Sequence, residues 1–131
     1  MVRRLVPLVL LAVLAAGCFG GGSHKVAVHK VKPGKPQGVV VVTEKDGSLD
    51  PKNVTLPKAG VYRFQAVNAG KHAHALAIEG SGGVNVKTAN LKPGQSTTID
   101  VQISKPGSYH YYSPVDGDRK KGMEGVAVLS G

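Results

Sequence analysis

The chain has 131 residues, a formal charge of +9, a single cysteine and no tryptophan. One cysteine excludes an intrachain disulfide. The basic charge alone does not make a nucleic-acid binder, because no aromatic residues are interleaved among the lysines to stack on bases.

The N-terminus reads as a targeting segment. Arg3 and Arg4 form a basic start, Leu5 to Ala16 an apolar run, and Gly17 precedes Cys18. About a dozen apolar residues are too few to span a bilayer well, so a signal peptide over residues 1–17 is expected. The AAGC sequence resembles the lipobox of bacterial lipoproteins, although Ala15 stands where leucine is more usual and Leu14 lies one position early. That resemblance implies lipidation of Cys18 and an extracytoplasmic chain anchored to the bacterial cell membrane; the alternative is an ordinary signal peptide that leaves a free thiol. A lipidated Cys18 leaves the folded part with no thiol. Loss of Arg3 and Arg4 lowers the charge from +9 to +7. Lys25, Lys30, Lys32 and Lys35 would then lie near anionic headgroups and favour them.

Residues 18–38 read as a tether rich in glycine, lysine and proline, with Val26, Val28 and Val31 available for a short strand. From Val39 the texture changes to short β-type runs divided by turn signals. The valine run of Val39 to Glu44 predicts a strand buried on both sides or nearly so. A turn-rich stretch, KDGSLDPK, leads to a strand around Asn53 to Pro57. In Val61 to Asn68, Tyr62, Phe64 and Ala66 alternate with Arg63, Gln65 and Val67, the period of a half-buried strand. His74, Leu76 and Ile78 are expected on one strand face, Ile99, Val101 and Ile103 on another, and Tyr109, Tyr111 and Ser113 on a third. A long loop precedes the last strand, GVAVLS. About seven short strands without intervening helices indicate one antiparallel Greek-key β-sandwich over residues 39–131, enough chain for one compact core.

Three segments carry a family resemblance, in order: SLDPKNVTLPKAGVYRFQAVNAG, HALAIEG and YHYYSPVDGDRKKGMEGVAVL. Together they resemble the cupredoxins, the plastocyanin-like type 1 copper electron carriers. The family loop runs from a tyrosine-rich strand through cysteine, a glycine-histidine turn and a glycine-methionine pair into the closing strand. It implies that His74 takes the first-histidine position and Met123 the axial methionine. Ser113 falls at the cysteine position and Asp118 at the second histidine.

Those two departures bear on chemistry. A serine hydroxyl does not replace the thiolate of a type 1 copper site, and an aspartate favours harder cations. Copper electron transfer is therefore not expected. Three readings stay open. In the first, His74, Asp118 and Met123, joined by His72, hold copper or a similar ion in a different coordination. In the second there is no metal, and Ser113, His74 and Asp118 hydrogen-bond to one another in a module that binds an envelope protein. In the third these residues form a nucleophilic triad, against which stand the missing G-x-S-x-G elbow and Pro114 directly after Ser113. The chain is accordingly read as a monomeric binding protein and not an enzyme. His110 reads as a surface residue alternating with Tyr109 and Tyr111, and His24 and His29 as solvated tether positions.

Overall fold

The computed structural model describes residues 34–131. The expected signal segment and the expected tether as far as residue 33, Cys18 among them, lie outside the described residues. Nine strands follow in order: β1 (Gly38–Lys45), β2 (Ser48–Asp50), β3 (Asn53–Leu56), β4 (Gly60–Asn68), β5 (Ala77–Gly80), β6 (Val84–Lys87), β7 (Ser96–Ile103), β8 (Gly107–Tyr112) and β9 (Glu124–Leu129). They form two facing sheets, ordered β2-β1-β4-β7 and β3-β9-β8-β5-β6. This is the expected all-β sandwich. Two strands pass unseen in the sequence reading, β2 within the turn-rich stretch and β6 in VNVK.

Most pairs are antiparallel, but β1 runs parallel to β4 and β3 parallel to β9. Neither parallel pair is adjacent in sequence, so the chain crosses between the sheets as a Greek key does. The core lies between them. Phe64 from one sheet meets Tyr111 from the other with ring centroids 6.1 Å apart, tilted at 51°. Leu49, Leu56, Leu76, Ile78, Val101, Ile103, Tyr109 and Met123 fill the space around them. Each such side chain stabilises the fold by about 1.5–3 kcal/mol relative to exposure. A Cβ at Gly125 would lie 2.4 Å from the Tyr111 ring, so only glycine lets β9 pass that close to the central tyrosine.

The period-two expectations for β4, β7 and β8 hold: Tyr62, Phe64 and Ala66 point inward, as do Val101 and Ile103, and Tyr109, Tyr111 and Ser113. The valine run does not behave as expected. Val40 and Val42 are buried, whereas Val39 and Val41 are 57% and 47% exposed. Their outward neighbours on β4 are Arg63 and Gln65, and Arg63 forms a forked ion pair with Asp100 on β7 at 2.8 and 3.0 Å. A polar, solvated face lies there, so β1 is one-sided despite its composition. The segment after residue 73 also differs. His74 is joined to Leu91 by a single bridge, and regular pairing begins only at Ala77, so Ala75, Leu76, Ala77 and Ile78 are all buried. From His74 to Ile78 the stretch is therefore buried on both of its sides.

Candidate functional site

Four connections converge at one end of the sandwich: the β1–β2 turn, the β4–β5 loop, the β6–β7 loop and the β8–β9 loop. Asn68, fully buried at the end of β4, braces two of them. Its amide nitrogen donates to the carbonyls of His72 and Leu91 at 2.8 and 2.9 Å, and its oxygen accepts from the Gly70 N–H at 2.9 Å. Reciprocal backbone bonds between His74 and Leu91 then hold the His74 backbone in place.

His74 is 2% exposed and sits between two carboxylates. Its Nδ1 lies 2.7 Å from Asp118 Oδ2 and its Nε2 lies 2.8 Å from Asp46 Oδ1. A carboxylate only accepts, so the ring donates from both nitrogens and carries the positive charge. Burial pulls its pKa down, but hydrogen bonds to Asp46 and Asp118 outweigh that and raise it above the ordinary histidine value. Asp46 is held well below the usual carboxylate range, chiefly by the His74 hydrogen bond and then by the Lys71 N–H.

The β8–β9 loop delivers the other partners. Gly117 at φ 73° and Gly122 at φ 110° bracket a single 3-10 turn, Asp118–Lys121, which aims the buried Asp118 side chain inward. Ser113 Oγ donates to Asp118 Oδ2 at 2.8 Å, so one carboxylate oxygen receives both the serine hydroxyl and the His74 ring. Met123 is drawn in by its backbone: its N–H donates to the Asp118 carbonyl, and its carbonyl accepts from Ser113, each at 3.1 Å. Its side chain is fully buried.

The structure thus brings His74, Ser113, Asp118 and Met123 together. His72 stands apart. Its side chain is 79% exposed, and its Nδ1 faces Asp46 Oδ2 at 3.2 Å and not Asp118. The triad order is also absent, because the Ser113 hydroxyl donates directly to Asp118 and makes no bond to His74. His110 lies on the face opposite Tyr109 and Tyr111, in register with Glu79.

Two residues here escaped the sequence reading. Asp46 reads there as an ordinary turn residue in KDG. It accepts from the Lys71 N–H through both oxygens, at 3.1 and 2.9 Å, and so closes the solvent side of His74. Gly70 makes room for it, since a Cβ there would lie 2.3 Å from Asp46 Oδ1 and 3.0 Å from His74 Nε2. The second residue is Glu44. It continues the inward phase of Val40 and Val42 and is fully buried, and neither carboxyl oxygen has a hydrogen-bond partner among the described residues. Burial raises its pKa to about 7; the His74 charge opposes the rise and the Asp118 charge adds to it. The phase i, i+2, i+4 of Val40, Val42 and Glu44 was the signal that could have found it.

These residues do not fit a type 1 copper centre. No thiol exists among the described residues, the Ser113 hydroxyl is bonded to Asp118, and both ring nitrogens of His74 face carboxylates. Among the described residues, no set of three or more His, Cys, Asp or Glu side chains is gathered as metal ligands would be.

Comparison with known proteins places the fold. The structure resembles auracyanin B at a TM-score of 0.68 and 19% identity, covering 77% of this chain and 94% of that one. A reduced auracyanin from Roseiflexus castenholzii gives 0.65 at 18% identity, covering 74% and 100%. Auracyanin A, a blue copper protein from Chloroflexus aurantiacus, gives 0.59 at 11%, covering 70% and 98%. No curated protein matches the chain. The Cupredoxin-like domain family matches over residues 8–124, most of the sequence, and the chain belongs to that family.

Proposed function

We propose that this protein is a cupredoxin-fold binding module of the bacterial envelope, anchored by a lipid on Cys18, that works without a type 1 copper ion and binds another protein. One observation carries this reading: both ring nitrogens of His74 lie within hydrogen-bond distance of carboxylates. An imidazolium has no lone pair for a metal, and the Ser113–Asp118–His74–Asp46 chain satisfies polar groups that a metal would otherwise satisfy. The basic start, short apolar run and AAGC sequence support export and anchoring.

The test is titration of the purified full chain with copper(I) and copper(II). No saturable one-to-one binding is expected. Micromolar or tighter stoichiometric binding, abolished by His74→Ala, would overturn the reading.

A second reading has its own support. Met123 is fully buried and tied through its backbone to both Ser113 and Asp118, which favours ligation of a copper-type ion by His74, Asp118 and Met123, with His72 joining after rearrangement. Binding of that kind displaces a proton from His74, so it strengthens as pH rises.

A further inference from the structure

β6 and β7 are the last strands of their sheets and come together along one flank of the sandwich. That flank is incompletely covered. Val84, Val101 and Ile103 point inward and are buried, but Val86 of β6 and Ile99 of β7, which share that inward phase, are only partly buried against the core.

The edge of β7 is open in its backbone as well. Asn68 N–H donates to the Gln95 carbonyl at 2.9 Å, which makes these two a hydrogen-bonded pair. In an antiparallel ladder such pairs recur at every second residue, so Thr97, Ile99, Val101 and Ile103 bond to β4. Ser96, Thr98 and Asp100 then turn their N–H and C=O groups away from β4, and among the described residues no strand lies there to meet them. β7 also carries neither proline nor lysine, the residues that commonly blunt a free edge.

The chain arrives beside this edge. Gly34 and Lys35 line a cleft of about 360 Å³ together with Val61, Gln102 and Ser104, at the end of β7 opposite His74. Shortly before them in sequence stands HKVAVHKV, residues 24–31, in which Val26 and Val28 share one face of an extended segment.

We infer that Val26 to Val31 adds to the free edge of β7 as a further strand, parallel to it, and that Val26 and Val28 close the flank over Ile99 and Val86. The direction follows from the entry point, since this segment ends where β7 ends. Lys32 to Gly34, three residues of at most about 3.6 Å each, bridge the distance back to the cleft. Main-chain bonds along the edge give the strand its affinity, and burial of the two valines adds to it. So short a link also holds the segment beside its site at a high effective concentration. One consequence rests on the reading of Cys18 as a lipid anchor. Docking leaves residues 19–25 as the only slack, about 25 Å when fully extended, and they depart from the His74 end of the sandwich and not from the end where Gly34 lies.

Amide hydrogen exchange of the full chain, followed residue by residue by NMR, tests the added strand. Thr98 and Asp100 N–H should exchange about a hundredfold slower than free amides, and Val26→Asp with Val28→Asp should speed both about tenfold or more. Val101 N–H, bonded to β4, should stay protected in that variant and so report that the sandwich is folded. Exchange of Thr98 and Asp100 at the free rate in the unchanged chain would overturn the inference. Protection that survives the two substitutions would overturn it too: if it fades on dilution, a second copy occupies the edge, and if it does not, the sandwich itself shields these amides. None of these outcomes depends on copper binding, so the metal-free reading and the added strand stand or fall separately.

Discussion

His74 Nδ1 lies 2.7 Å from Asp118 Oδ2, across 44 positions of sequence, with both side chains buried. The pair joins the β4–β5 loop to the β8–β9 loop. In this buried pair the same Asp118 oxygen also accepts from Ser113, and Asp118 is the buried one of the two carboxylates that compensate the His74 charge.

Breaking the pair from one side should therefore cost more than an ordinary surface change. Asp118→Ala leaves the His74 ring without its buried counter-charge and frees Ser113 Oγ, and a loss of about 3–5 kcal/mol is expected. Urea unfolding followed by far-UV circular dichroism measures it; a loss under about 1 kcal/mol would mean that the pair does not hold these loops together.

Glu44 and His74 make stability fall as pH rises. The folded pKa of Glu44 is about 7 against an ordinary value of 4.5, so its contribution is fully present below about pH 4.5 and is lost as pH passes through 7. The raised pKa of His74 acts with the same sign, with stability lost above its folded value. Asp46, lowered from 3.8, acts oppositely and loses its contribution as pH falls below 3.8. Melting temperature should therefore peak between about pH 4 and 6 and decline toward pH 8, with Glu44 responsible for about 3 kcal/mol at most. Glu44→Gln should flatten that decline, and an unchanged slope would show that the Glu44 carboxyl is ionised throughout.

Ser113→Cys with Asp118→His rebuilds the ligand types of the family loop. The same change removes the acceptor that keeps His74 protonated at Nδ1. Copper(II) added to the folded double variant should give an intense blue thiolate band. A folded, colourless product would mean that Ser113 and Asp118 are not the positions that the family loop assigns to its ligands.

Gly70→Ala places a methyl group 2.3 Å from the present position of Asp46 Oδ1. Asp46 must move off His74 Nε2. A cost of about 1–3 kcal/mol is expected, together with a lower His74 pKa in an NMR titration, because the hydrogen bond that most raises that pKa is weakened. An unshifted titration would show that Asp46 is not its main support.

Much of this arrangement was legible in the chain. Alternation placed Tyr62, Phe64 and Ala66 inward, because a pleated strand with one wet face writes its burial into every second residue. The resemblance to the family loop, and not the spacing alone, singled out Ser113, Asp118 and Met123 together with His74. Burial of β1 was misjudged for a matching reason. Its outward valines look like its inward ones, and only the Arg63–Asp100 pair beside them shows that the face is solvated. Nothing near His72 told that its imidazole would turn to a carboxylate 26 residues earlier.

By itself the sequence determined the sandwich and the absence of a thiol after Cys18, since those follow from local period and composition, while the resemblance to the cupredoxins singled out His74, Ser113, Asp118 and Met123. Only the tertiary structure decided what those residues do to one another. Asp46 and Glu44 reach the site through sheet register and loop packing, and hydrogen-bond partners separated by tens of residues leave no local signature. That is why the second carboxylate on His74, and the charge it keeps on the ring, became visible only in the folded protein.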